Sequence, residues 1–290
     1  MSRFQPTIVA SLVCFTVLTL AAASHAGLYS NAVLLDGPIA YWRLGDAGPT
    51  ADDATGNGHA GAADFANDLS FGAAGLVPAE TGDGALQLGG FDRVIVPGFE
   101  KIGATGYSAE YWVKLDAYPT DCCASLVSDG IPSGQFFMMN YLIGPGQGTT
   151  GTIRPHYSFG NTPLSLTGTT VLALDTVYHV VTTWDASNPN NNNGKIYING
   201  VETFTGNVTG NVPAPGTTGA HDVYLGRDGR ENRPSNFVLD EVSLYDYPLS
   251  AAQVADHYNT GITLIPEPGS IVLVVLAALG LVPLVRRASR

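Results

Sequence analysis

Two stretches decide the fold class: Tyr178-His179-Val180-Val181-Thr182-Thr183-Trp184-Asp185, and Gly194-Lys195-Ile196-Tyr197-Ile198-Asn199-Gly200-Val201. Both are rich in β-branched and aromatic residues, the types that fit a pleated, half-buried surface. The polar tract from Asn188 to Gly194 between them reads as a hairpin loop. Asn199-Gly200, set between two apolar runs, is a type I′ hairpin signal because both central positions need positive φ. The order strand, loop, strand, tight turn, strand is therefore that of an antiparallel sheet.

Working outward, Ser108 to Leu115 alternates: Ala109, Tyr111, Val113 and Leu115 share one face, and Glu110, Trp112 and Lys114 the other. Further strands are expected at Ala40–Leu44, Ser125–Ser128, Gln135–Leu142, Thr152–Phe159, Val201–Phe204, Val223–Leu225 and Phe237–Tyr245. Ala85–Leu88 and Val94–Val96 read as a pair joined through Gly89 and Gly90. Strands punctuated by turns, with no alternating helices, argue for a sandwich or jelly roll and against a βαβ fold. One short helix is expected, capped by Ser250 with Gln253 three residues on, and running to about Tyr258. No internal repeat is visible, so residues 27–259 read as one domain followed by a linker over 260–265.

The two ends carry export signals. Arg3, an apolar run from Ile8 to Ala23 and the small residues up to Ala26 form a signal peptide over 1–26, with cleavage after Ala26. The alternative, an N-terminal membrane anchor, fits less well because the run is short and its exit is built of small residues. At the other end, Pro266-Glu267-Pro268 precedes an apolar helix expected over 271–285, followed by Arg286, Arg287 and Arg290. Taken alone, that is a short bilayer-entering helix stopped by positive charge, weakened by Pro283.

Composition narrows the function classes. The chain has 25 acidic and 13 basic side chains, a net charge of −12. Losing Arg3 with the signal peptide leaves −13, and losing the three terminal arginines and Glu267 leaves −15. Such a domain is not built to neutralise phosphates, so nucleic acid is excluded as a partner, while cations and neutral glycans remain open. Cys14 leaves with the signal peptide. Cys122 and Cys123 are adjacent, have no metal-site spacing, and read as exposed loop thiols or a vicinal disulfide.

Several segments resemble one family in order and spacing. Ala40-Tyr41-Trp42-Arg43-Leu44 with Asp53-Ala54-Thr55-Gly56-Asn57-Gly58-His59, then Ala85–Leu88, Tyr107–Lys114, the two stretches quoted first, Leu239–Tyr245 and Pro248-Leu249-Ser250 are similar to the laminin-G-like, concanavalin A-like jelly-roll domains. The likeness spans about Val33 to Tyr258 and implies an all-β fold of two antiparallel sheets packed face to face. It departs over Tyr118–Asn161, which is longer and richer in aromatics; its apolar residues read as alternating between the core and the outer face of two long strands. The resemblance also implies a calcium ion held by Asp53 and Asp240, with Asn57 and His59 offering carbonyls. Against that stands an Asx-type turn at Asp53 with Asp240 a solvated strand residue. The last 25 residues resemble the PEP-CTERM sorting signal of exopolysaccharide-forming Gram-negative bacteria. That implies an exosortase-type partner acting at Pro266, Glu267 and Pro268, and only transient membrane association.

No His-Glu-x-x-His, Gly-x-Ser-x-Gly, phosphate loop or Cys/His cluster is present. Concanavalin A-like glycosidases need two carboxylates facing one sugar. Glu110 has Trp112 and Lys114 as same-face neighbours, and adjacent Asp240 and Glu241 are expected on opposite faces of a strand. The expectation is therefore a non-catalytic, exported binding or adhesion module of the cell surface or matrix. Its partner is expected to be an extracellular polysaccharide or a surface protein, with calcium as its only cofactor. The alternatives are a structural matrix protein without a ligand and, behind it, a polysaccharide-processing enzyme.

Overall fold

The computed structural model describes residues 27–64, 68–99, 106–130, 136–159, 162–188, 193–208, 221–228 and 234–263. The signal peptide with Ala26, the sorting residues Pro266, Glu267 and Pro268, and the apolar helix expected over 271–285 lie outside the described residues. Among the described residues no helix is long and apolar enough to cross a membrane.

Two eight-stranded antiparallel sheets stack face to face. Sheet A runs in the order β14 (Val201–Gly206), β13 (Gly194–Ile198), β12 (Val177–Asp185), β7 (Gly106–Leu115), β16 (Ser235–Tyr245), β5 (Gly84–Gly90), β4 (Ser70–Ala74). Its eighth strand, β1 (Ala40–Trp42), pairs with β16. Sheet B runs β11 (Thr162–Ser165), β10 (Ile153–Phe159), β9 (Phe136–Ile143), β8 (Cys123–Gly130), β15 (His221–Gly226), β6 (Arg93–Phe99), β3 (Gly61–Asp64), β2 (Thr50–Ala51). The hairpin at Asn199-Gly200 has φ of 53° and 77°, as its type I′ reading requires, and closes Ile198 against Val201.

Between the sheets lies one continuous core. Ala109, Tyr111, Val113 and Leu115 point into it from β7, as the alternation predicts, and meet Leu126, Met138 and Tyr157 of sheet B. A buried Val, Leu or Met among them contributes about 1.5–3 kcal/mol. The aromatic-rich segment alternates as read: Met138, Leu142 and Tyr157 go inward, while Met139, Tyr141 and Ile143 form a separate cluster with Cys123 on the outer face of sheet B.

One pairing expectation is overturned. β5 and β6 do not pair with each other: β5 lies between β16 and β4 in sheet A, and β6 between β15 and β3 in sheet B. The chain crosses between layers just after Gly90, which ends β5 at a φ of 53°, so both strands bury their Leu and Val residues in the same core from opposite sides.

The outer face of sheet A is covered rather than solvated. Helix α1 (Leu28–Leu35), not expected from the sequence, and helix α2 (Ala251–Ile262) lie over it. They bury Tyr29, Val33, Trp112, Val181, Tyr197 and Val254 in a second apolar cluster. The Ser250–Gln253 capping box is formed, and α2 continues to Ile262, beyond the Tyr258 end read from the sequence. Gly261 permits that last turn, since a Cβ there would stand 2.6 Å from the Trp112 ring.

Candidate functional site

Three polar sites stand out, two of them sealed beneath the helices. At the first, Glu110 projects from β7 into the sheet A–helix interface and is fully buried. It accepts hydrogen bonds from Tyr29 (3.0 Å), Tyr245 (3.0 Å) and Ser243 (3.4 Å). His179 Nε2 lies 2.7 Å from it, and His257 Nδ1 3.0 Å. Burial alone would raise the Glu110 pKa, but His257 and His179 outweigh it and hold the carboxyl well below its usual range. His257, on α2, is lowered by burial yet raised on balance by Glu110 and Asp36, to about 8. The site therefore ties α1, α2, β7, β12 and β16 together through one buried carboxylate.

The second sealed site corrects an expectation about Asp240 and Glu241. β16 carries an extra residue between Asp240 and Ser243 relative to β7, with Glu241 at a φ of 50°. This bulge falls where the edge of β16 passes from β5, paired up to Leu239, to β1, paired from Val242. It breaks the two-residue alternation, so the carboxylates do not point to opposite faces. Both turn to the outer face of sheet A, where Glu241 accepts a hydrogen bond from Tyr41 and Asp240 Oδ2 accepts one from Leu76 N at 2.7 Å. Burial raises both pKa values, and Asp240 raises that of Glu241 further.

Glu80, Asp83 and Glu241 bring carboxylate oxygens within 4.8 Å of one another, close enough for a metal ion. The cation in their midst is Arg43. Its Nη2 lies 2.9 Å from Glu80 Oε2 and contacts Asp83, while its Nε lies 3.2 Å from Glu241. Burial works against the guanidinium charge, but Glu241, Asp83 and Glu80 overcome it and raise the Arg43 pKa. Glu80 also accepts from Ser30 N at 2.9 Å, satisfying an N-terminal donor of α1 that Gly27 has no side chain to cap. This cluster is a structural clamp between α1, β1 and β16.

The residues implied for calcium are placed as follows. Asp53 Oδ1 accepts from Thr55 N (3.0 Å), Thr55 Oγ1 (2.7 Å) and Tyr41 N (3.2 Å), and Oδ2 accepts from His59 N (3.1 Å). Burial would raise its pKa, and these four bonds lower it. Asn57 Nδ2 donates to Ile39 O at 3.0 Å, and the His59 carbonyl accepts from Trp42 Nε1 at 2.6 Å. Trp42 bridges to Asp53 on one side and pairs with Val242 on the other, so β1 runs between Asp53 and β16. That separates their backbones by about two strand spacings, roughly 10 Å. Asp240 belongs to the Leu76 side of the clamp. Calcium takes six to eight oxygens around one point, and this donor set does not fit an ion shared by Asp53 and Asp240. What Asp53 makes is the Asx-type turn weighed against calcium.

The third site is open. On the outer face of sheet B a cavity of about 320 Å³ is lined by Cys122, Cys123, Tyr141 and Ile143, and by Gln147, Arg154, His156 and Ser165. Tyr141 and His156 meet edge to face with ring centres 5.9 Å apart. His156 Nδ1 is 2.7 Å from Ser165 Oγ. Of the two readings for the cysteine pair, exposed loop thiols or a vicinal disulfide, full exposure is overturned: Cys123 is buried at the start of β8, with its sulfur 2.7 Å from that of half-buried Cys122. Farther across the same face, Arg93 lies over the Tyr224 ring at 5.2 Å. Two further cavities lie elsewhere, one around Tyr118 and Phe237, the other around Asp185 and Tyr197. Among the described residues, none of the three is lined by two carboxylates.

Sequence reasoning named His156 and Tyr141 only as part of an unusual segment and missed Arg154 and Gln147. Arg and His at alternate positions of β10, facing Tyr on β9, were the available signal.

Two antiparallel sheets with their ends interleaved and one open polar-aromatic face define a jelly-roll sandwich of the lectin-like class. The sequence profile of the Concanavalin A-like lectin/glucanases superfamily, a laminin G type, matches residues 88–255. The chain belongs to this family. A sequence comparison with curated proteins gives no match. Among solved structures, the chain is similar to domain 4 of AbnA, an extracellular GH43 arabinanase from Geobacillus stearothermophilus, solved with arabinotriose. The TM-score is 0.56 at 20% identity, covering 76% of this chain and 98% of that one. Botulinum neurotoxin type C, whose cell entry depends on two ganglioside molecules, has a TM-score of 0.56 at 12% identity over 80% of this chain and 53% of its own. Trypanosoma rangeli sialidase has 0.51 at 16% identity, over 76% of this chain and 32% of its own. The chain thus spans about a third of the sialidase and half of the neurotoxin chain. At these identities the likeness is one of fold.

Proposed function

We propose that the protein is an exported, non-catalytic carbohydrate-binding module, and that saccharide binds in the cavity on the outer face of sheet B. The observation that carries this reading is the cavity lining: an aromatic corner of Tyr141 and His156 beside the polar groups of Gln147, Arg154 and Ser165. A sugar ring has an apolar C–H face and a rim of hydroxyls, and ligand pockets pair apolar walls with a few placed polar groups in this way. The similarity to an arabinanase domain solved with arabinotriose points in the same direction by analogy of fold. A binding role is favoured over hydrolysis because, among the described residues, the cavity lining includes no carboxylate, whereas glycosidases use two.

The test is a saccharide array probed with the full-length chain and with His156→Ala. Binding of at least one matrix polysaccharide, weakened about tenfold or more by the substitution, supports the reading. Absence of binding across the array leaves the structural-matrix alternative.

Export and sorting belong to the same proposal. The signal peptide directs the chain out of a Gram-negative cell, and an exosortase-type enzyme processes it at Pro266-Glu267-Pro268, giving the tail a transient membrane role. Replacing Glu267 and both prolines is expected to leave the chain in the membrane fraction. Release to the medium at the parent's level would sink this part of the reading.

A further inference from the structure

We infer that the sheet B cavity selects a carboxylate-bearing saccharide, a uronic acid residue of an acidic polysaccharide, and that Arg154 is the residue that reads the charge. This rests on the carbohydrate-binding reading above and narrows its ligand.

The chain carries 25 acidic groups against 13 basic ones. In such a protein basic side chains find carboxylates readily, and four of the described ones do so. Arg43 contacts three carboxylates, Arg93 pairs with Asp64, Lys114 with Asp116 and Lys195 with Glu202. Arg154 has no ion pair among the described residues. Its Nε donates to Thr167 Oγ1 at 3.2 Å and its Nη2 to the Gln147 carbonyl. Both acceptors are neutral, so they fix the guanidinium plane without cancelling its charge. Two of its five N–H donors are used, which leaves three in a planar fork.

The surroundings of Arg154 match that charge. Among the described residues the cavity lining includes no carboxylate, and it adds the imidazole of His156 two residues along the same strand. Asp228, which touches the lining residue Tyr141, accepts that hydroxyl at 3.2 Å. An overall acidic protein therefore keeps one recess with an uncompensated, oriented guanidinium. A planar fork held at its back and open at its edge is the geometry that takes a carboxylate by two parallel hydrogen bonds.

The rest of the cavity makes the anion a sugar acid. Its volume of about 320 Å³ is at the lower end of ligand pockets, about 300–1,000 Å³, which suits one or two sugar rings. The Tyr141–His156 corner can face a pyranose ring while Gln147 and Ser165 meet its hydroxyls. The composition as a whole pointed toward neutral glycans; the local arrangement at Arg154 reverses that expectation for this one recess.

The experiment is calorimetric titration of the full-length chain with three probes: tri-galacturonate, its fully methyl-esterified form, and a neutral galactose trisaccharide. Tri-galacturonate is expected to bind at least tenfold more tightly than its ester. Arg154→Gln is expected to weaken it by about ten- to hundredfold, the worth of a charged hydrogen bond, and to weaken the ester much less, so that the preference for acid over ester collapses. Arg154→Lys, which keeps the charge and loses the fork, is expected to fall between. Equal affinity for acid and ester, or a preference that survives Arg154→Gln, overturns the inference. If neutral saccharides bind while that preference is missing, the carbohydrate reading stands and the acidic ligand falls. If no saccharide binds, both fall.

Discussion

Asp53 shows how far one side chain can be read in two ways. Its position in an Asp-x-x-Gly-Asn-Gly turn is what a calcium ligand needs and also what an Asx turn needs, because both require oxygens gathered by a tightly folded backbone. Four hydrogen bonds from Tyr41, Thr55 and His59 use its two oxygens and stitch the turn to β1. The expected outcome is that Asp53→Ala lowers the melting temperature by the same amount in calcium and in chelator, since the lost bonds are internal. Losing a carboxylate that accepts several backbone donors is worth on the order of 1–3 kcal/mol. Thermal melts of parent and variant, each with and without chelator, check this. A parent melt that drops on chelation, with the drop abolished in Asp53→Ala, would restore the ion.

At the scale of elements, α2 is held by features at both ends and along its length. Ser250 and Gln253 close its first turn, and Gln253 reaches on to Asp36 of α1 at 2.9 Å. Tyr258 stacks over Trp112 and His179, with ring centres 6.0 and 5.9 Å apart. Ser250→Ala removes the acceptor of the Gln253 amide and is expected to cost about 1 kcal/mol, read as a shift in the urea midpoint with unchanged slope. The capping box was legible because its signature is local. The extra turn to Ile262 was not, because it depends on Gly261 fitting against Trp112 and Tyr29, which are distant in sequence. α1 escaped notice for the same reason: its N-terminal donor is satisfied by Glu80, fifty positions away, and no capping residue marks its start.

For the whole molecule, the buried charges beneath the helices set the response to pH. The folded-state pKa of His257 is raised from 6.5 to about 8, so its contribution is fully present below about 6.5 and is lost as pH rises through 8. Asp240 and Glu241 are raised well above their ordinary values of 3.8 and 4.5, so they too favour the folded state most when protonated and withdraw stability as pH rises. Glu110 is depressed from 4.5, so its contribution is present above that value and lost as pH falls below it. Melting temperature is therefore expected to be highest on the acid side of neutrality and to decline from about pH 6.5 to beyond 8. Glu110→Gln removes the buried counter-charge of His257 and the carboxylate partner of His179, and is expected to cost about 3–5 kcal/mol near pH 6. It should also flatten the alkaline decline, because the partner that raises His257 is gone. A melting profile that rises from pH 6.5 to 8.5 would contradict the assignment.

What the sequence determined by itself was the class of structure and the facing of its central strands. Period-two alternation in Ser108–Leu115 and the Asn199-Gly200 turn are properties of neighbouring residues, so the antiparallel sandwich and the inward set of β7 could be read directly. Tertiary structure alone decided which strands pair, since β5 takes β16 and β6 takes β15 as a neighbour, segments far along the chain. It alone placed the bulge at Asp240-Glu241, which arises because β16 changes its edge partner there. Arg154 belongs to the same group. Whether an arginine is paired or open depends on which carboxylates the fold brings within reach, and folding brought it none among the described residues.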